Sequence, residues 1–228
     1  MKIAYQGVPG SYSESCAKKN YPGCETISCK TFDECFELAK NNNEIKAIIP
    51  ESNKTTGNIG IEYLIFKFRL NIYAEHFYKI THHLLGVKGS KIDDIKNVYS
   101  HAQALSQSSM FIKKINLAEQ VRADTAGSAK FVSDANDKTK AAIASDLSAE
   151  IYNLDVLAKD IQDDKENFTR FLLMGKDIVQ PENEQKLFIT SFLFKLKSKP
   201  AALYSALQGM AINGVNMIKL QSFPEKNS

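Results

Sequence analysis

The sequence has no long apolar run, no strong excess of one charge and few cysteines, and each absence argues against a class of protein. No apolar stretch approaches the roughly 20 residues that a membrane-spanning helix requires. The 228 residues carry 29 Lys and Arg against 26 Asp and Glu, a net charge of +3, which is too small to indicate nucleic-acid binding. The hydrophobic content of 43% is ordinary for a globular protein.

All four cysteines lie near the N-terminus, at Cys16, Cys24, Cys29 and Cys35. Their spacing is not that of a paired C-x-x-C zinc site, and no histidine lies among them. We therefore predict free thiols rather than a disulfide or a metal site. The residues after Lys2 lack the apolar stretch of a signal peptide, which predicts a cytoplasmic protein without a membrane partner.

The chain repeats a unit of strand, polar turn and helix. Residues 2–6 predict a strand, Gly7–Gly10 breaks it, and Ser11 with Glu14 forms a capping box at a helix start. Further polar turns of this kind are at Thr31, 51–57, 100–103, 124–129 and Ser145. Helix N-termini favour anions, and ligands of open α/β sheets bind at the carboxyl ends of strands. The pattern indicates a small anionic ligand, although the first glycines are equally consistent with a turn alone.

Nucleotide motifs are missing from these turns. No G-x-G-x-x-G follows the first strand, and no P-loop lysine is present. Residues 71–86 are extended in character and could cross between two lobes. Adjacent His82 and His83 would point to opposite faces of a strand, so we do not expect them to share a metal or acid–base site.

The stretch Asn167–Phe171 places a threonine hydroxyl beside an arginine at the start of an apolar strand. This combination suits an anionic substrate that must lose an oxygen, whereas the alternative is a surface loop that enters a strand. After a polar linker at 180–185, a strand over 186–196, a helix that opens at Pro200 and a strand over 215–220 predict a small βαβ module.

Four motifs, in this order and spacing, resemble those of prephenate dehydratases over nearly the whole chain. Gly7–Glu14 is similar to the family's G-x-x-G-[ST]-[YF]-S-E, and Ser100–Leu105 to S-H-P-Q-A-L with Ala102 in place of proline. Asp124–Ala129 matches D-T-A-G-S-A, and Asn167–Phe171 matches N-x-T-R-F. The resemblance implies conversion of prephenate to phenylpyruvate, water and carbon dioxide in phenylalanine biosynthesis, without a cofactor.

The resemblance also implies a site in a cleft between two lobes. Thr169 would donate to the leaving hydroxyl, and Asn53, Ser100 and Gln103 would bind the substrate's polar groups. Arg170 would hold a substrate carboxylate or orient its loop. The other candidate substrate-binding residues are Ser11, Lys54, Thr125, Gly127 and Ser128.

One motif departs from the family pattern P-x-E-N-S-x-x-G. Pro50, Asn53 and Gly57 keep their places, but Ser52 replaces the glutamate and Lys54 the serine. Glu51 is one residue early and could reach the usual place only through a local bulge. Lys54 is either a solvated surface lysine or an added cation for the dianionic substrate.

The tail resembles the regulatory ACT domain of this family. Lys199–Leu203 is similar to R-P-G-A-L, and Gln221–Pro224 to E-S-R-P. The resemblance implies part of an ACT domain, a homodimer or homotetramer, and phenylalanine as an inhibitor bound between ACT domains. Because only the first βαβ half of the module is recognised, we predict weak or absent inhibition. The candidate regulatory residues are Ala201, Ala202, Leu203, Asn213 and Asn216.

We therefore predict an α/β protein with a two-lobed catalytic domain that resembles type II periplasmic binding proteins, followed by a partial ACT-like βαβ module. The predicted segments are a catalytic domain at 1–176 (lobe one at 1–76 and 156–176, lobe two at 77–155), a linker at 177–186 and the module at 187–228. Two alternatives stay open: a weak or non-catalytic small-anion binding relative, and an arogenate dehydratase, whose substrate carries an amine.

Overall fold

The computed structural model describes residues 1–178, 189–192 and 194–222. The chain divides into two compact units, Met1–Val179 and Gln180–Ser228. Among the described residues, none of the helices has the length and hydrophobicity of a membrane-spanning segment.

The first unit contains two mixed sheets, each the centre of one lobe. The first lobe comprises β1 (Lys2–Gln6), α1 (Tyr12–Asn20), β2 (Glu25–Cys29), α2 (Phe32–Asn41), β3 (Ile45–Asn53), β4 (Gly57–Asn58), α3 (Glu62–Phe68), β5 (Asn71–Lys79) and β11 (Phe168–Gly175). Its strand order is β2-β1-β3-β11-β5, with β4 paired to β3.

The second lobe is built in the same way. It comprises β6 (His83–Gly86), a 3₁₀ turn (Ile92–Asp94), β7 (Asn97–His101), α4 (Ala102–Ser106), α5 (Ser109–Lys114), β8 (Ala118–Arg122), α6 (Thr125–Ala135), β9 (Lys140–Ala144), α7 (Asp146–Ile151) and β10 (Asp155–Ala158). Its strand order is β10-β6-β9-β7-β8. Two sheets joined by two crossings confirm the predicted two-lobed α/β fold.

The crossings lie later in the chain than the predicted residues 76 and 156. β5 continues to Lys79, and β10 pairs antiparallel with β6 in the second sheet. The chain therefore changes lobe after Lys79 and returns after Ala158. The predicted boundary was wrong at the return because β10 joins the second sheet by pairing with β6, which a sequence pattern does not reveal.

Local side-chain caps position the helices. The Ser11 Oγ accepts from Glu14 N, the Asp124 carboxylate from Gly127 N, and the Ser145 Oγ from Ser148 N. These caps satisfy amide groups that a helix start leaves without partners. The predicted helix over 102–114 is interrupted at residues 107–108, and the one over 58–68 begins at Glu62.

Apolar side chains of each sheet pack against the helices on both faces. In β11, Leu172 and Met174 pack on the α2 and α3 side, whereas Phe171 and Leu173 pack on the α1 side. The predicted core position of Phe171 is confirmed. Burial raises the pKa of the Cys16 thiol to about 12, which is the environment of a core side chain rather than of a reactive thiolate.

The second unit does not show the predicted βαβ arrangement in its described part. α8 (Ala202–Ile212) forms, but residues 189–192, 194–196 and 215–220 are not in strands. The remainder of the predicted linker and first strand, and Phe223-Pro224 of the second tail motif, lie outside the described residues. A strand is stable only when its backbone groups pair, and no strand pairing forms among the described residues of the second unit.

Candidate active site in the interlobe cleft

The cleft lies where the carboxyl ends of the parallel strands of the two lobes face each other. β1 and β3 run parallel in the first sheet, and β7, β8 and β9 in the second. Hydrogen bonds join the two edges: the hydroxyl groups of Ser145 and Ser148 donate to Gly10 O at 2.6 and 2.9 Å. A third bond between the lobes is donated by Gln103 Nε2 to Thr56 Oγ1 at 3.1 Å.

Asn53 and Thr169 form the centre of the candidate site. They are directly paired residues of β3 and β11, and Asn53 Nδ2 donates to Thr169 Oγ1 at 2.8 Å. Asn53 Oδ1 accepts from Thr55 N at 2.9 Å and Thr56 N at 3.2 Å. Because backbone N–H groups only donate, they fix the amide with its oxygen toward the loop and its nitrogen toward Thr169.

This orientation determines what the Thr169 hydroxyl can do. Its oxygen is an acceptor for Asn53, so its proton is available to donate. Within residues 1–178 no acceptor lies within hydrogen-bond distance of that proton, and Thr169 is 7% exposed. The site therefore holds a nearly buried hydroxyl with an unused proton, as a donor to a bound ligand requires.

Arg170 lies on the other face of the sheet, because successive residues of a strand alternate. Its guanidinium donates to Glu75 at 2.7 Å and to Glu51 at 3.2 Å. Glu51 is the extra residue of a β-bulge, since Arg170 pairs with Ser52 and Phe171 with Pro50. The bulge considered from the sequence exists, but it directs Glu51 to Arg170. Of the two predicted roles of Arg170, this geometry favours holding the strand over holding a substrate carboxylate.

Lys54 follows Asn53 and has an exposed side chain. Its Nζ is 3.6 Å from the Asp164 carboxylate, and the side chain is 54% exposed. An exposed pair at this distance is weak, so the ammonium group can exchange Asp164 for an anionic ligand. Gln103, at the start of α4, reaches the loop at 53–57 from the second lobe through its bond to Thr56.

Other predicted site residues have partners within their own lobe. The buried Ser100 hydroxyl donates to Ile143 O at 2.6 Å, so it braces β7 against β9 instead of facing a ligand. The buried Ser128 hydroxyl donates to Asp124 O, and Gly127 N donates to the Asp124 carboxylate. Ser11 caps α1. At the start of α6 this leaves the half-buried Thr125 as the predicted residue without such a bond within residues 1–178.

The candidate regulatory residues all belong to the second unit. Ala202 and Leu203 are in the first turn of α8, Ala201 precedes it, Asn213 ends it and Asn216 follows.

Four polar residues that sequence reasoning did not select extend from Asn53 into the second lobe: Tyr12, His82, Gln107 and Asn167. The sequence carried a signal for three of them. Tyr12 and Asn167 are in the quoted motifs, and His82 is in the adjacent histidine pair. Burial lowers the pKa of His82, more than its bond to Gln107 raises it, so this imidazole is neutral at pH 7.

The fold and this geometry define a class of protein. It is a two-lobed α/β protein whose cleft presents an oriented hydroxyl, side-chain amides and an exchangeable ammonium group to a small polar ligand. The ligand would lie at the carboxyl ends of strands from both sheets.

The chain belongs to the prephenate dehydratase family, whose model matches residues 3–179. Arogenate dehydratase/prephenate dehydratase 2 of Arabidopsis thaliana is 40% identical over 225 residues, which are 98% of this chain and 59% of that protein. The chain thus spans less than three fifths of the length of this plant relative.

Two solved structures share the fold. The prephenate dehydratase of Arthrobacter aurescens in complex with L-Phe has a TM-score of 0.81 at 23% identity and covers all of this chain and 76% of its own. GqqA, described as a novel type of quorum quenching acylase, has a TM-score of 0.85 at 30% identity, over all of this chain and 83% of its own.

Proposed function

We propose that the chain catalyses the decarboxylating dehydration of prephenate to phenylpyruvate in phenylalanine biosynthesis, as a carbon–oxygen lyase. The observation that carries this proposal is the Asn53–Thr169 pair. An amide fixed by two backbone N–H groups holds a nearly buried threonine with its proton unused. Loss of a hydroxyl group requires a donor of this kind, because the departing oxygen develops negative charge.

The reaction needs one proton and no redox step. The prephenate dianion takes up a proton, the ring C–O bond breaks, and the bond to the ring carboxylate supplies the electrons that complete the aromatic ring. Water, carbon dioxide and the phenylpyruvate anion are the products. Thr169 has too high a pKa to release its proton fully, so it stabilises the departing oxygen through a hydrogen bond. Such preorganised donors contribute about 10²–10³ in rate.

Three residues are our candidates for contacts with the substrate. Gln103 would donate an amide hydrogen bond from the second lobe, and Lys54 would exchange Asp164 for a substrate carboxylate. Thr125 would contribute at the start of α6. Ser100, Gly127 and Ser128 have internal partners, so we propose that they brace the second lobe.

Turnover by the purified protein tests the function directly. We expect phenylpyruvate from prephenate, and Thr169→Ala to lower kcat by about 10²-fold or more. Thr169→Ser, which keeps the hydroxyl, is the matched control and should retain most of the activity. Thr169→Val keeps the shape without the hydroxyl and should behave like the alanine variant. Full turnover by Thr169→Ala would contradict the assigned role.

The same assay decides between the alternatives. Arogenate differs by an amine on the side chain, remote from the departing hydroxyl, and the Arabidopsis relative carries both substrate names. Phenylalanine formed faster from arogenate than phenylpyruvate from prephenate would assign the chain as an arogenate dehydratase. Binding of either compound without turnover would favour a non-catalytic relative. Cytoplasmic location, a homodimer or homotetramer, and weak inhibition by phenylalanine stay predictions.

A further inference from the structure

A continuous chain of hydrogen bonds crosses the junction of the two lobes and ends at the Asn53–Thr169 pair. The Tyr12 hydroxyl lies 2.6 Å from His82 Nδ1, and His82 Nε2 lies 2.9 Å from Gln107 Oε1. Asn167 Nδ2 donates to the same Gln107 oxygen at 3.1 Å. Asn167 Oδ1 accepts from Asn53 Nδ2 at 2.8 Å. His82 is 2% and Asn167 1% exposed, so water does not compete for these bonds.

These residues come from both lobes and from both crossings. Tyr12 begins α1 of the first lobe, and Gln107 follows α4 of the second lobe. His82 is on the first crossing and Asn167 on the second. The chain of bonds therefore ties both crossings to one helix end in each lobe.

The backbone fixes the direction of the bonds from Asn53 through Asn167 to Gln107. Since Thr55 N and Thr56 N donate to Asn53 Oδ1, the Asn53 nitrogen must face Asn167 and can only donate. Asn167 then presents its oxygen to Asn53 and its nitrogen to Gln107, which accepts through Oε1.

The same logic determines the tautomer of His82. Gln107 Oε1 is an acceptor, so His82 must carry its proton on Nε2. The bare Nδ1 then faces the Tyr12 hydroxyl, whose pKa is raised by burial and whose proton has two acceptors in reach, this nitrogen at 2.6 Å and Thr81 O at 2.9 Å. The opposite tautomer would place two acceptors against each other at Gln107, at the cost of a lost buried hydrogen bond.

Gln107 uses only one end of its amide. Its Oε1 accepts two hydrogen bonds, whereas its Nε2 is buried without a partner. A buried donor without a partner is unfavourable, so the amide nitrogen contributes nothing favourable at this position. What the position requires is the acceptor oxygen. A carboxyl group there would serve the same two donors.

We propose that His82 and Gln107 are positioning residues that hold Asn167, and through it Asn53, so that the Thr169 proton points into the cleft. This inference rests on the proposed dehydratase function. Neither residue touches the substrate. Their effect is on the orientation of the donor, and hence on kcat more than on KM.

Four variants of the full chain test the proposal with the substrate that the wild type turns over. Gln107→Leu removes the acceptor, and Gln107→Glu keeps it. We expect Gln107→Leu to lower kcat about tenfold with KM within twofold, since His82 and Asn167 both lose their acceptor. Gln107→Glu should recover kcat to within about threefold of the wild type.

The adjacent histidines provide a matched control. His83 is also buried and has a pKa lowered by burial, but its Nδ1 accepts from Asp160 N, outside this chain of bonds. We expect His82→Leu to lose kcat as Gln107→Leu does, and His83→Leu to stay within about twofold. Equal losses at His82 and His83, or no rescue by Gln107→Glu, would overturn the proposal.

A measurement on the unaltered protein separates this proposal from the proposed function. In the ¹⁵N NMR spectrum at neutral pH, His82 should carry its proton on Nε2 and show a bare Nδ1. Finding the opposite tautomer would overturn the proposed chain of hydrogen bonds, whether or not the variants fold. If the wild type turns over neither prephenate nor arogenate, the proposed function fails. An Nε2–H signal would still support the proposed chain of hydrogen bonds in that case.

Discussion

At the scale of single residues, the neighbours Thr169 and Arg170 have separate tasks. Strand alternation places the hydroxyl on the face of Phe171 and the guanidinium on the face of Leu172. Arg170 bonds two carboxylates from the flanking strands, Glu51 on β3 and Glu75 on β5. One cation therefore joins three neighbouring strands on the face opposite the Asn53–Thr169 pair.

Replacing Arg170 should cost stability more than substrate affinity. In Arg170→Met the buried Glu51 carboxylate loses its cation, and we expect the free energy of unfolding to fall by about 1–3 kcal/mol. Lysine is a point charge that cannot reproduce the forked bonds, so Arg170→Lys should recover only part. Denaturant unfolding measures the loss, and KM should change less than threefold.

The double variant Arg170→Met/Glu51→Gln is the control. It removes the Glu51 charge together with the cation, so it should be more stable than Arg170→Met alone. A KM raised tenfold or more in Arg170→Lys, with stability unchanged, would instead restore the role as a carboxylate clamp.

Residue-level features could be predicted from the sequence where they are local. The caps at Ser11, Thr31 and Ser145 join residues three apart, and all three form. The bond from Asn53 to Thr169 joins residues 116 apart, and only the motif resemblance placed the two together. Gln107 gave no signal, because a glutamine after a helix has no distinctive pattern.

At the scale of elements, the turn between β1 and α1 depends on a close approach at Gly10. Its φ of +91° is unfavourable for other residues, and an added Cβ would lie 2.6 Å from Ser148 Oγ and 3.0 Å from Ser148 Cα. The carbonyl of Gly10 also accepts the two serine bonds from α7. This turn therefore sets how closely α7 approaches the first lobe.

Gly10→Ala should therefore weaken both the fold and the cleft. Gly23, with φ of +80° and open space around its Cβ position, is the matched control. We expect Gly23→Ala to lose about 1 kcal/mol from backbone strain alone, and Gly10→Ala to lose more and to raise KM. Denaturant unfolding and steady-state kinetics measure the two effects. Equal losses in both variants would show that the contact with Ser148 adds nothing.

Helices α1 and α2 could be predicted from their capping residues. The strands at 118–122 and 140–144 could be predicted from the pattern of their side chains. β10 was recognised as a strand but placed in the wrong lobe, because its position depends on pairing with β6. The predicted strands of the second unit failed for a related reason. Apolar sequence favours a strand, but only a hydrogen-bonded neighbour makes one.

At the scale of the whole molecule, three histidines in or beside the first crossing are kept neutral. His76 on β5, His82 on the crossing and His83 on β6 all have pKa values lowered from the ordinary 6.5, with burial as the first cause in each. His76 receives or donates a bond at Tyr21, and His82 at Tyr12. The segment that joins the lobes is therefore the part of the first unit where acid should act first.

The pH dependence of stability follows from the direction of these shifts. A neutral buried histidine binds its proton more weakly in the folded than in the unfolded chain, so its contribution is complete above about pH 6.5 and is lost as the pH falls below it. We expect the free energy of unfolding to be flat near pH 7–8 and to decline from about pH 6.5 downward. His83→Gln should make that decline shallower, and the free energy of unfolding should still be constant between pH 7 and 8.

A second decline in the free energy of unfolding should begin at lower pH, where a carboxylate becomes protonated. Burial raises the pKa of Glu14, but bonds from Lys18, Gly10 N and Thr26 outweigh it, so the net pKa lies below its ordinary 4.5. Its stabilisation is present above that value and is lost as the pH falls through the folded pKa. Urea unfolding at half-unit steps from pH 8 to 4 resolves the two ranges. A free energy constant from pH 7 to 5 would contradict the histidine argument, since three imidazoles whose pKa values are lowered by folding cannot remain neutral at no cost while the unfolded chain takes up protons.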